Sequence, residues 1–276
     1  MLAALIIVFR EVFEAGLIIG IVLAVTRTVP HRNRWIGGGV LLGILLACVV
    51  AIFAGALSNL FAGMGQELFN AAILGVAVVM LTWHNVWMAR HGSELAGELR
   101  SAGQAVVEGS KSLLALAVVV GVAVLREGSE VVLFLYGVIA GGDSGWDVAF
   151  GGFVGLASGI AICLLTYFGL LRIPTRALFA TTTVLIALLA AGMAAQAAAF
   201  LEKANWLTAL DSVVWDSAWL LSDSSIIGKA LHTLVGYTDQ PTAMQLTVYI
   251  AILLVTFVLM RLYGSPARAM PAGARG

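Results

Sequence analysis

The residues in this chain best suited to chemistry come in two matching sets. Arg10, Glu11 and Glu14 stand in the run Phe9-Arg10-Glu11-Val12-Phe13-Glu14, and Arg126, Glu127 and Glu130 in Leu125-Arg126-Glu127-Gly128-Ser129-Glu130. Side chains three and four apart on a helix lie on one face, so each arginine can share a broad stripe with its two glutamates. Four glutamates against two arginines leave a formal excess of two negative charges if all are ionised. Both sets interrupt long apolar runs, where uncompensated charge costs several kcal/mol, and a bound cation would relieve that cost. Carboxylate oxygens are hard donors suited to hard cations, and no cluster of cysteine and histidine selects a soft metal. Arginine can hold a glutamate through two parallel hydrogen bonds and so limit how tightly the ion is kept. The plain structural reading is a pair of buried ion pairs that fix two helices in register. Two copies with surplus acid favour an ion path instead.

Composition says what must position these sets. Of 276 residues, 61% are hydrophobic and 11% charged, with a mean hydropathy of +1.02. A soluble domain with a polar surface does not reach such values, and the chain reads as an all-α integral membrane protein. Apolar runs long enough to cross about 30 Å of hydrocarbon at about 1.5 Å per residue recur throughout, without the alternation of barrel strands. Seven transmembrane helices are expected, at roughly 2–26, 36–60, 66–89, 113–140, 148–171, 177–200 and 246–263. A formal net charge of zero gives no basic field for nucleic acid. Cys48 and Cys163 are isolated within apolar runs and read as small core residues. The first segment lacks a basic leader region and is interrupted by Arg10 and Glu11, so it is expected to be retained.

Loop charges set an orientation. The basic loop Arg27 to Arg34, the segment Arg90 to Lys111, the turn Arg172 to Arg176 and the tail after Arg261 would all lie in the cytoplasm, with the amino terminus outside. The outer segments hold Asp143, Asp147, Glu202, Asp211, Asp216, Asp223 and Asp239, against Lys203 and Lys229. The two arginines are 126 − 10 = 116 positions apart, with three expected spans between equivalent points, and an odd number of crossings inverts direction. This predicts one transmembrane domain built as a 3+3 inverted repeat plus one helix. Repeat one covers about 2–89, repeat two about 113–200, an extracytoplasmic loop about 201–245 and helix seven about 246–263, followed by a cytoplasmic tail at 264–276. Such repeats place their substrate near the midplane, at the interface between the repeats.

Other features have local readings. Glycines at Gly16/Gly20, Gly39/Gly43 and Gly151/Gly155/Gly159 allow close helix contact. Leu210 to Leu221 has the spacing of an interfacial helix, Arg90 to Lys111 that of a solvated helix, and Gly142 to Gly145 that of a turn. Glu67, at the head of the third span, either draws cations to an entrance or complements the helix amino terminus. Asp211, Asp216 and Asp223 form either a capture surface or an ordinary wet loop. Trp83, Trp87, Trp206, Trp215 and Trp219 read as interfacial anchors, and Met80 and Met88 as core. Intramembrane catalysis is disfavoured because HExxH and GxSxG are absent, and ATP drive because GxxxxGK[ST] is absent. A receptor or assembly subunit whose charges dock a partner helix is a third class.

The chain resembles the oxidase-dependent iron permeases of the iron/lead transporter superfamily, and their bacterial branch in particular. That family carries Arg-Glu-x-x-Glu in its first and fourth membrane helices, matched here by Arg10 to Glu14 and Arg126 to Glu130. The likeness extends through Gln66-Glu67-Leu68-Phe69 and Leu234-Val235-Gly236-Tyr237, and so covers nearly the whole chain. Many relatives read Arg-Glu-Gly-Leu-Glu, whereas Val12 and Phe13 stand in the first copy and Ser129 in the second; His84 stands where bacterial relatives are expected to have methionine. The resemblance implies a permease, not an enzyme, in a bacterial cytoplasmic membrane. Iron is then the transported substrate, with no permanently bound cofactor; lead or another metal cation is the alternative cargo. It implies that Glu11, Glu14, Glu127 and Glu130 carry the ion, with Arg10 and Arg126 supporting them. It also implies extracytoplasmic partners that oxidise or deliver iron, a cupredoxin-type protein and a haem peroxidase.

Overall fold

None of the chain's five prolines falls within a described helix, and the apolar runs between them form long, unbroken helices. The protein's structure, a computed structural model, describes residues 1–60, 65–169, 175–223 and 225–263. In order these form α1 (Leu2–Val25), α2 (Arg32–Leu60), α3 (Gln66–Val107), α4 (Leu113–Ala140), α5 (Gly145–Tyr167), α6 (Thr175–Lys203), α7 (Ile226–Val235) and α8 (Ala243–Tyr263). There is no strand among the described residues, only an isolated bridge between Val213 and Thr242. The carboxyl-terminal tail and Arg172 of the basic turn lie outside the described residues.

Five segments are long and apolar enough to cross a membrane: Arg32–Ala56, Gln66–Met88, Gly145–Tyr167, Phe179–Lys203 and Ala243–Tyr263. The chain is thus an all-helical, multi-pass membrane protein. The helices α1 and α4, of 24 and 28 residues, are as long, but each carries the three charged side chains of its motif in mid-helix.

The expected third span and the solvated segment after it form a single element, since α3 runs for 42 residues, about 63 Å at about 1.5 Å per residue. The turn at Gly142 to Gly145 is as expected, and Ser144 caps α5 by accepting a hydrogen bond from Asp147 N at 3.1 Å. The interfacial helix expected over Leu210 to Leu221 does not form. Leu210 takes a left-handed φ of 60°, and the segment is tied into an irregular loop in which Tyr237 donates to the Leu221 carbonyl at 2.8 Å. The helix of this region is α7 instead, begun by a Ser225 cap and ended by Gly236 at φ 68°.

Packing pairs α2 with α4 and α1 with α5, while α3 lies on α6 and α6 on α8. In both of the first two pairs small residues bring backbones together. A methyl group at Gly39 or Gly43 would overlap the carbonyls of Ala117 or Gly121, and one at Gly151 or Gly155 those of Met1 or Leu5. Cys163 is half-buried beside Gly16, but Cys48 is exposed on the side of α2 that borders a groove shared with α1, α4 and α5, contrary to the core position expected for it.

The apolar interior forms two clusters. One gathers Ala4 and Ile7 from the start of α1, Phe134 and Val138 from the end of α4, and Leu74, Leu81 and Ile186. The other gathers Ile18 and Val22 from the end of α1, Val120 and Val124 from the start of α4, and Ile36 and Leu99. Both charged motifs fall where one cluster gives way to the other.

Candidate ion site

On α1 the motif is fully enclosed. Arg10 is 1% exposed, Glu11 0% and Glu14 2%. The guanidinium divides its donors, with Nη1 reaching Glu11 Oε1 at 3.3 Å and Nε lying 3.0 Å from Glu14 Oε1. It therefore steers two carboxylates at once instead of gripping one through the two parallel bonds expected of it. On α4, Arg126 Nε donates to Glu130 Oε1 at 3.1 Å, while its guanidinium carbon sits 4.2 Å from the centre of the Trp87 ring. Trp87 is thus part of the site's support, not a free interfacial anchor. The Arg126 side chain is 37% exposed, so the two arginines sit in unlike surroundings despite identical motifs.

The two motifs meet at His84 of α3. Its Nε2 lies 3.5 Å from Glu14 Oε2 and 3.9 Å from Glu11 Oε2, and its Nδ1 meets Glu130 Oε2 on the opposite edge of the ring. His84 is 3% exposed, and the neighbouring Asn85 is anchored by donation from Nδ2 to the Thr183 carbonyl on α6 at 3.3 Å. Glu11, His84, Glu127 and Glu130 each offer one ligand atom within 4.8 Å of all the others. Glu11 Oε2 and Glu127 Oε2 have no hydrogen-bond partner among the described residues. A buried polar atom without a partner is costly, and several converging on one point make a ready seat for a cation. The surroundings sharpen this, because Glu11 and Glu127 also border an apolar groove between the α1–α5 and α2–α4 pairs.

Of the residues expected to handle metal, Glu11, Glu127 and Glu130 come together directly. Glu14 stands beside them against Arg10 and His84. Glu67 is exposed in the first turn of α3, away from this group. His84 is the member that pattern reading leaves open; a lone histidine in an apolar run carries no ligand spacing, and only packing brings it between α1 and α4. Met80 packs at the margin of the first apolar cluster, as expected of core.

At the amino-terminal end of α1 a cavity of about 710 Å³ is lined in part by Asp143, Asp147, Gln196, Asp223 and His232. Its acids, and those of the loop beside it, are largely engaged: Asp143 pairs with the amino terminus at 3.3 Å and Asp147 accepts from Ser144 Oγ at 3.0 Å. Asp223 and Asp239 each accept from the other's backbone nitrogen, at 3.2 and 3.1 Å, and Asp216 accepts from Gln240 at 2.9 Å. Partial burial pushes the Asp223 carboxyl above its usual range, and the charge of Asp239 adds to this. His232 Nδ1 lies 2.7 Å from the Tyr237 carbonyl, and Gln196 Nε2 lies 2.5 Å from its Nε2. This region is a braced loop rather than a set of free ligands.

Known proteins resemble the chain along nearly its whole length. The family model described as the iron permease FTR1 family matches residues 1–266. A protein named ferrous iron permease EfeU from a strain of Escherichia coli is 32% identical over 275 residues, covering 97% of this chain and 99% of its own. Proteins of the same name from Shigella sonnei and Yersinia pestis are each 30% identical, covering 100% and 94% of this chain and 99% and 93% of their own. No solved structure matches. Matched along nearly all its length, the chain belongs to the iron permease FTR1 family and is a transporter, not an enzyme.

Proposed function

We propose that this protein carries iron ions inward across a bacterial cytoplasmic membrane, along a path lined by Glu11, Glu14, Glu127 and Glu130. One observation carries the reading: carboxylates from two helices far apart in sequence converge with a buried imidazole at one point inside an otherwise apolar protein. Ionisable groups at such depth are expensive and are retained where an ion must pass. Arg10 and Arg126 hold the carboxylates in position and lessen their charge, so that the ion is captured without being trapped. The name shared by the relatives, ferrous iron permease, supports iron as the cargo.

In this reading α1 and α4 complete a set of seven transmembrane helices, with the amino terminus outside and the carboxyl terminus in the cytoplasm. The basic bias of the loops supports that orientation. An inverted repeat, about 2–89 and about 113–200, is supported by two features. The start of α1 shares an apolar cluster with the end of α4, and the end of α1 with the start of α4. The close helix contacts also repeat. Gly39, Gly43 and Ala47 meet Ala117, Gly121 and Gly128, while Gly151, Gly155 and Gly159 meet Met1, Leu5 and Val12. Each of the latter partners precedes its counterpart by the same 116 positions that separate the two arginines (117 − 1, 121 − 5, 128 − 12).

The segment at about 201–245 is then an extracytoplasmic cap and 264–276 a cytoplasmic tail. Glu67 lies at the outer entrance, and a cupredoxin-type protein and a haem peroxidase supply iron from outside. Uptake of radioactive iron into proteoliposomes tests the reading. Glu11→Gln, Glu14→Gln, Glu127→Gln and Glu130→Gln are each expected to abolish uptake while the protein still inserts, and normal uptake by two or more of them would refute it.

A further inference from the structure

The pairing of donors around His84 goes a step beyond a ring of carboxylates. Glu130 Oε1 accepts from Arg126 Nε at 3.1 Å, and its Oε2 lies against His84 Nδ1. A ring held by a carboxylate at one nitrogen presents the other as a donor of fixed direction, the arrangement that orients metal-binding histidines generally. Here the other nitrogen is Nε2. It faces Glu11 Oε2 at 3.9 Å and Glu14 Oε2 at 3.5 Å, distances too long for a hydrogen bond yet suited to ligand atoms sharing one ion. The ring is 97% buried by its 3% exposure, so water does not compete freely for this nitrogen.

We propose that His84 is a ligand of the transported ion through Nε2, oriented by Glu130, and that it makes the site selective for divalent first-row transition ions over magnesium and calcium. The inference rests on the ion path read above. Glu11 and Glu127 provide oxygen ligands with Glu14 beside them, and oxygen alone would serve magnesium or calcium as well as iron. An imidazole nitrogen shifts the balance, because ferrous ion and its neighbours accept mixed nitrogen and oxygen ligands while hard cations gain little from nitrogen. Four glutamates against two arginines give the site a formal surplus of acid that a divalent cation offsets. Glu130 thereby lines the path yet acts on the ion through His84, as a positioning residue.

The test is iron K-edge X-ray absorption of the purified full-length protein loaded anaerobically with ferrous ion, joined to competition flux in proteoliposomes. The parent is expected to show the outer-shell scattering of an imidazole ring, and His84→Gln to lose it. Excess magnesium is expected to leave ferrous uptake by the parent unchanged and to inhibit uptake by His84→Gln at least tenfold more strongly. If His84→Gln does not fold, the parent spectrum alone decides. An oxygen-only spectrum in a parent whose iron binding is lost in Glu127→Gln would overturn the role of His84 and leave the glutamate path standing. Failure of the parent to bind ferrous ion, with Glu→Gln variants that transport normally, would bring down both.

Discussion

His84 Nε2 lies 3.5 Å from Glu14 on α1, while the opposite edge of the same ring meets Glu130 on α4. One side chain from α3 thus bridges two motifs that are 116 positions apart in sequence. Neither arginine reaches across. Arg10 serves Glu11 and Glu14 and Arg126 serves Glu130, each on its own helix, so His84 adds a link from α3 between two helices that also pack on each other directly.

The stacking of Arg126 on Trp87 predicts a graded response. Its guanidinium is partly exposed and makes one short contact to Glu130, so the ring face supplies much of its restraint, about 0.5–2 kcal/mol by the usual range for such contacts. Trp87→Leu is expected to lower iron uptake severalfold, and Trp87→Phe, which keeps an aromatic face, to stay near the parent. Equal losses in both would show that bulk, not the ring face, is what matters.

The close helix contacts predict a sharp positional contrast. Gly43→Val and Gly155→Val press side chains into the backbones of α4 and α1, and overpacking of this kind costs about 1–3 kcal/mol. Gly20 has open space where its Cβ would stand, so Gly20→Ala is expected to change stability by no more than about 0.5 kcal/mol. Thermal unfolding of the three variants in detergent separates the two classes.

The Asp223–Asp239 pair predicts a dependence on pH. The folded loop raises the Asp223 carboxyl above its usual value of 3.8, chiefly through partial burial, with the charge of Asp239 adding to it against the lowering effect of the Asp239 backbone hydrogen bond. Protonated Asp223 is therefore favoured by the folded state, and its contribution to stability is lost as pH rises above that value. Asp223→Asn, which keeps an oxygen for the Asp239 amide, is expected to raise the unfolding temperature at neutral pH, with the gain vanishing near pH 3.8. A gain of the same size at both pH values would contradict this.

Much of this arrangement is legible in the chain itself. Charged triples in apolar runs mark α1 and α4, and the glycines at four-residue spacing mark the faces by which α2 and α5 approach them. The turn before α5 is legible because glycine, aspartate and serine cluster at Gly142 to Gly145. What eludes reading is decided by tertiary packing. His84 and Trp87 lie on one apolar helix among similar residues, and nothing in their spacing says which face turns toward α4. The outer loop misleads for a related reason. Leu210 to Leu221 has helical spacing, yet Leu210 turns left-handed and the segment bonds to the chain before α8, whereas Ser225 and Gly236 bracket the helix that forms.

The central claim is that the two motifs form one ion site, and an anomalous-difference map at the iron edge, from crystals of the protein grown with ferrous ion, tests it most directly. The account predicts a single peak within ligand distance of Glu11, Glu127 and His84, between α1, α3 and α4, that disappears in Glu127→Gln. Separate peaks at each motif, or iron confined to the cavity beside Asp143 and Asp223, would contradict it.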